Sequence, residues 1–177
     1  RLSGSGGAEI VSAIISPCDQ YRYTLTRDAH DAFATRGPAL FIMLNPSTAD
    51  ATLDDPTIRR CRGFARTWDC SGIVVANLYA LRATNPDELW KHPDPVGPLN
   101  DWYLRELAAK HETVVCAWGT NARLERAQAV REIFSGRHHQ LMCLGVTKDG
   151  SPRHPLYVRG DQPLIEWPVR VDGAKGA

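Results

Sequence analysis

No run of eighteen apolar residues occurs in the chain, and its first positions lack the charged-then-apolar pattern of a secretory leader. Hydropathy therefore offers no membrane-spanning helix, and the expectation is a cytoplasmic protein with no membrane partner. The five cysteines, Cys18, Cys61, Cys70, Cys116 and Cys143, are odd in number and contain no Cys-x-x-Cys pair. That spacing suits neither a disulfide scaffold nor a zinc or iron–sulfur centre, so no metal and no cofactor are expected. Cys116 and Cys143 sit in apolar runs and read as small buried hydrophobes. Surplus charge is missing too, since 21 Lys and Arg face 20 Asp and Glu for a net +1. Bulk electrostatics do not announce a nucleic-acid partner, which leaves local clusters to make that case.

What is present is ordinary globular composition, 43% hydrophobic and 23% charged over 177 residues. This suits one domain with a full core, expected over 8–171 as a monomer, with the Gly/Ser-rich stretch 1–7 and the Gly/Ala-rich stretch 172–177 as loose ends.

Hydrophobic patterning alternates strands with helices. Val11 to Ser16 and Tyr21 to Leu25 flank the turn residues Pro17-Cys18-Asp19 and read as a hairpin. Four short apolar runs follow: Pro38 to Leu44, Ile73 to Ala76, Thr113 to Ala117 and Gln140 to Leu144. Each is the signature of a strand covered on both faces. Between them, Asp55-Pro56 reads as an N-cap with proline at the first helical position, opening a helix to about Thr67. Further helices are expected from Asn100 to His111 and from Ala122 to Phe134. The expected fold is α/β, a three-layer α/β/α sandwich around a central, mostly parallel four-stranded sheet, with an N-terminal β-hairpin. Ligands of such sheets sit outside the carboxyl ends of the strands, so Asn45, Asn77, Trp118-Gly119 and the segment around His154 should share one edge.

At those strand ends the chain resembles the uracil-DNA glycosylase superfamily. Leu44-Asn45-Pro46 is similar to its water-activating motif, which is Asn-Pro in the mismatch-specific branch and Asp-Pro in the main uracil branch. Ile73-Val-Val-Ala-Asn77 is similar to the second motif, an apolar strand ending in a base-reading Asn. Val114-Val-Cys-Ala-Trp118-Gly119-Thr-Asn-Ala122 resembles the apolar-Trp-Gly-x-x-Ala element. Arg137-His138-His139 and then His154-Pro155-Leu156 follow in the order of the closing motif, so the resemblance spans Ala39 to Gly160. Asn45-Pro-Ser-Thr-Ala-Asp50 with Asp55-Pro-Thr-Ile-Arg-Arg60 resembles a bacterial branch of the superfamily, which suggests defence against phages with modified cytosines.

The resemblance implies a monofunctional DNA glycosylase that leaves an abasic site, with Asn45 and His154 as catalytic residues. Breaking an N-glycosidic bond leaves charge on both fragments, oxocarbenium-like on the sugar and anionic on the base. Asn45 would orient a water beneath the anomeric carbon, His154 would donate to a base oxygen, and Asn77 would read the base edge. An amide is a weaker aid to water than a carboxylate, so turnover should be slow. Pro46, Ser47, Thr48, Asp50, Asp54, Asn77 and Trp118 are the expected substrate-binding residues. Ser47 stands where the uracil branch has a bulky Tyr against C5 of the pyrimidine, which implies a C5-substituted base such as glucosylated hydroxymethylcytosine. Thr48, Asp50, Thr52, Asp54 and Asp55 would supply acceptors to such a group.

The same residues also suit plainer roles. Asn-Pro is a common turn, Asn77 could bond to backbone, His154 could lie on the surface, Trp118 could simply pack, and Asp55 could only cap a helix. DNA contact is expected from Arg59, Arg60, Arg82, Lys148, Arg153 and Arg159, with Arg62 and Arg66 on the same helix as the first two; solvated faces are the alternative. Leu156 and Tyr157 occupy the place of the superfamily's duplex wedge, although its Ser-Pro between His-Pro and Leu is missing here. Two other functions fit the residues: a non-catalytic module for modified nucleotides or nucleic acid, and an N-glycosidase of free nucleosides.

Overall fold

The computed structural model describes residues 11–28, 33–48, 52–135 and 139–168. The expected loose ends, 1–7 and 172–177, lie outside the described residues, as do Asp50 and Arg137-His138.

The strands are β1 (Val11–Ile15), β2 (Arg22–Asp28), β3 (Ala39–Met43), β4 (Gly72–Asn77), β5 (Thr113–Cys116), β6 (Gln140–Cys143) and β7 (Ile165–Glu166). The α-helices are α1 (Pro56–Thr67), α2 (Asn100–Ala108) and α3 (Leu124–Ser135), with short 3-10 turns at Pro86–Lys91 and Pro155–Tyr157. No helix among the described residues is long and apolar enough to cross a membrane.

These strands form one seven-stranded mixed sheet in the order β1-β2-β4-β3-β5-β6-β7. This corrects the expectation of a mostly parallel, four-stranded sheet with an appended hairpin. The pairings β1·β2, β2·β4 and β6·β7 are antiparallel, so antiparallel strands flank both sides of the sheet. The pairings β3·β4, β3·β5 and β5·β6 are parallel. Two causes explain the difference. β2 is mixed polar and apolar in sequence and reads as half of a free ribbon, yet it is mostly buried because it pairs with β4 across a long stretch of chain. β7 is two residues long, too short for any periodicity to reveal.

Side-chain alternation divides the core between the sheet's two faces. Phe41, Met43, Ile73, Val75 and Val115 pack with Ile58, Cys61, Phe64 and Ala65 of α1. Leu40, Ile42, Val74, Ala76, Val114 and Cys116 pack on the opposite face with α2 and α3. Phe64 stacks on Trp68 at 5.6 Å between ring centres and Phe41 stacks on the same indole at 5.8 Å. Truncating Phe64 to Ala would cost about 3–5 kcal/mol, because transfer free energy and cavity formation add.

α1 starts where its sequence says it should. Asp55 is extended at the N-cap, its Oδ1 accepts from the Ile58 N–H at 2.8 Å, and Pro56 follows. α1 links β3 to β4 over one face, whereas α3 links β5 to β6 over the other. A crevice therefore opens at the carboxyl ends of β3 and β5, where the connections diverge.

Candidate functional site

A cavity of about 340 Å³ occupies this crevice, bounded by the ends of β3, β4 and β5, the first turn of α1 and the loop 147–157. Its size falls at the small end of ligand pockets. Asn45, Pro46, Ser47, Asn77, Trp118, Arg153, His154 and Tyr157, all named from the sequence, line it together.

Asn45 is held rigidly. Its Nδ2 donates to the carbonyls of Pro46 at 3.0 Å and Ala83 at 2.8 Å. Both amide hydrogens are thereby used, which fixes the flip of the amide and leaves Oδ1 as the acceptor. Asn77 is buried at 3% exposure at the end of β4. Its side-chain amide makes no hydrogen bond among the described residues, so donor and acceptor are both available to the cavity. The carbonyls of residues 77 and 78 are gripped from below by Asn100, whose Nδ2 donates to them at 3.0 and 3.1 Å. Arg126 adds a 2.7 Å bond from Nε to the Leu78 carbonyl.

His154 has a defined tautomer. Its Nδ1 accepts from the Leu156 N–H at 3.2 Å, which puts the proton of the neutral ring on Nε2. Burial pushes its pKa below the ordinary value, with the Asp55 carboxylate pulling the other way. The ring is therefore a neutral N–H donor at physiological pH. Gly119, at φ +76°, allows the strand-end loop to pass beside it, with a 2.9 Å bond from the Gly119 N–H to the Pro152 carbonyl. Trp118, 4% exposed, packs edge-on against Trp167 at 5.0 Å.

The other expected residues are placed differently. Ser47 donates to Asp55 Oδ2 at 3.2 Å, and Thr48, itself outside the lining, bonds at 2.7 Å to Thr84, which belongs to it. Asp54 lies off the cavity, bound to Arg27 Nε at 2.8 Å and Arg62 at 2.6 Å. Burial works against its ionised form, but the hydrogen bonds from Arg62 and Arg27 outweigh it and hold the carboxyl below its usual range. Among the expected DNA contacts, Arg60 donates to the carbonyls of Pro155 and Val158, tying α1 to the His154 loop. Arg82 is paired with Asp19 at 2.6 Å and also donates to the Thr48 carbonyl. Arg159 is bidentate to Asp161 at 3.0 Å, and Arg59 donates to the Asp54 carbonyl. Arg153 donates through Nε to Val146, and Lys148 is exposed. Leu156 and Tyr157 are exposed, the latter with its ring 5.6 Å from that of His154.

The family model described as "Protein of unknown function (DUF1643)" matches residues 22–156. The chain belongs to this family. No curated protein and no solved structure matches it. The matched span of this DUF1643 protein begins at Arg22, the first residue of β2, and runs through the His154 loop, so it takes in the cavity almost whole. The family description names no activity and carries no link to the uracil-DNA glycosylase superfamily.

Several lining residues had no site role assigned from the sequence: Arg22, Thr57, Thr84, Thr120 and Asn121. Asp55 was expected as an N-cap and as an acceptor for the C5 group, and it is the one carboxylate among the described lining residues. Arg22 lies in a polar–apolar strand whose aim depends on a local irregularity, Thr57 is a polar residue in the first turn of α1, and Thr84, Thr120 and Asn121 are ordinary loop residues.

Proposed function

We propose that this DUF1643 protein is a DNA glycosylase that hydrolyses the N-glycosidic bond of a C5-substituted pyrimidine, a role suited to defence against phages with modified cytosine. What carries the proposal is one arrangement: Asn45 with a free Oδ1, Asn77 with an uncommitted amide and His154 with its proton on Nε2 line a single cavity. Asn77 would pair with the base edge. Nε2–H of His154 would donate to the base oxygen on which negative charge grows, where a pre-aimed neutral donor is effective. Asn45 Oδ1 would accept a hydrogen bond from a water and hold it under the anomeric carbon. As water adds and the glycosidic bond breaks, the electron pair leaves with the base, and Asp55, which also lines the cavity, would take the water's proton. Ser47 is small, so space remains beside it for a substituent at C5.

The test is incubation with DNA carrying uracil, hydroxymethylcytosine or its glucosylated form, followed by alkali cleavage at abasic sites. Cleavage of one modified DNA that disappears in Asn45→Ala supports the assignment. Tight, salt-sensitive binding without abasic sites would instead indicate a recognition module.

A second reading has its own observation. Arg60, Arg82 and Arg159 are engaged by carbonyls and carboxylates of the protein itself, which weakens the case for a long phosphate track. A free nucleoside or nucleotide is the substrate that this favours, and release of base from it in the absence of DNA is the discriminating result.

A further inference from the structure

Arg22 is an anomaly in the wall of the cavity. Its side chain is buried at 6% exposure, yet it makes no ion pair and no side-chain hydrogen bond among the described residues, and its Nε is wholly enclosed without a partner. Buried guanidinium groups ordinarily have their donors met, because an unmet charge in a low-dielectric setting is expensive. Among the described residues the two other buried arginines follow that rule: Arg27 is bound to Asp54, and Arg126 to the Leu78 carbonyl and Asp101. Burial, with help from nearby Arg82 and Arg27, pulls the Arg22 pKa down to about 10, with Asp55 opposing. The group stays charged at neutral pH.

The backbone is shaped to aim this residue. The β1·β2 register shifts between Ile14, opposite Thr24, and Ile15, opposite Arg22, so Tyr23 is an extra residue on β2. Tyr21 and Tyr23 accordingly pack on the α2/α3 face, while Leu25 packs on the α1 face. In an unbroken strand, Arg22 would stand on the face opposite Leu25. The bulge instead turns it to the α1 side, where it lines the cavity with Met43 and Val75. Thr57, in the first turn of α1, lines the same cavity, and its N–H makes no hydrogen bond among the described residues.

The charges of the cavity specify the ligand. Among the described residues its lining holds two arginines, Arg22 and Arg153, one carboxylate, Asp55, and a neutral His154, for a net charge of +1. We infer that Arg22 is an anion subsite in the inner wall of this cavity, which receives a singly charged oxyanion, phosphate or carboxylate, carried by the substrate. Asp55 disfavours a dianion, since it adds an acceptor where a second negative charge would need a donor. The subsite is independent of the reaction: it constrains what the cavity binds whether or not a glycosidic bond is cut.

The experiment follows thermal unfolding and calorimetric titration of the full chain with inorganic phosphate in mildly acidic buffer, with acetate in parallel and sodium chloride at matched ionic strength. Expected are one site per chain and a rise in Tm of the wild type that chloride does not reproduce. Arg22→Met should lose both, with a Tm without added anion no lower than wild type, because the deleted charge had no partner to lose. Arg22→Lys should bind at least about tenfold more weakly, the planar fork being gone. Arg105→Gln, an exposed change on α2, should match wild type. Phosphate alone, acetate alone or both acting through Arg22 identifies the oxyanion. The inference is overturned if neither stabilises the wild type beyond chloride, or if the arginine variants respond as the wild type does. Should Arg22→Met not fold, the Arg22→Lys affinity decides. None of these readings needs turnover, so failure of the glycosylase assay leaves them intact.

Discussion

The side-chain amide of Asn100 donates to the main-chain carbonyl of Asn77 at 3.0 Å, from a residue at the start of α2 to one at the end of β4. It joins the two faces of the molecule at the candidate site, because Asn100 is fully buried among α2 contacts while Asn77 faces the cavity.

Asn100→Leu removes both bonds of that grip and leaves the carbonyls of residues 77 and 78 with fewer donors. The expected cost is about 2 kcal/mol in chemical denaturation. Asn100→Asp is expected to do no better, since its oxygens would face the two carbonyls. Base excision should fall in both variants by more than the loss of folded protein accounts for.

Asn45→Asp is the change that would imitate the uracil branch, and it should not accelerate catalysis. In this protein Nδ2 is committed to the carbonyls of Pro46 and Ala83. A carboxylate there sets acceptor against acceptor, and the expected loss of stability is about 1–3 kcal/mol. Abasic-site yield equal to or below wild type is the expected result; a large gain would contradict the described role of the amide.

For His154 the direction of the pKa shift sets the pH profile. Burial, opposed in part by Asp55, holds the imidazole neutral to a lower pH than the ordinary 6.5. Excision should therefore persist as pH drops below that value and fall only through the lower, folded-state pKa. There Nδ1 gains a proton and can no longer accept from Leu156. His154→Gln should be slower and lack this acid limb.

Asp54 gives the matching prediction for stability. Its hydrogen bonds to Arg62 and Arg27 outweigh the cost of burial, so its folded pKa lies below the ordinary 3.8. The stabilisation is present above the unfolded value and is lost as pH falls through the folded one. Asp54→Ala should cost about 3 kcal/mol at neutral pH and flatten that acid dependence, read from Tm against pH.

Ser47→Tyr tests the space beside C5. The phenol would extend into the cavity and forfeit the bond to Asp55, but Ser47 is only partly buried, so the fold should persist. Activity on a glucosylated base should vanish, and unimpaired activity would refute a C5 pocket at this position.

Much of the site was legible because strand ends are visible in sequence. Apolar runs stop at Leu44, Ala76 and Ala117, and the residues that follow each stop meet in one cavity because β3, β4 and β5 are parallel. The Asp55-Pro56 start of α1 was readable for a similar reason, since capping is settled within four residues.

What the sequence by itself determined is therefore local: which segments are covered strands, where α1 begins, and which side chains stand at the carboxyl ends. Tertiary structure decided everything that depends on partners distant in the chain. Only pairing with β4 makes β2 an internal strand, and only a bulge against β1 turns Arg22 into the cavity. Arg60, Arg82 and Arg159 look alike as basic residues in sequence, yet each has its acceptor in the folded protein. A periodic pattern reports which face of an element is apolar; it carries no information on which donor meets which acceptor across the fold.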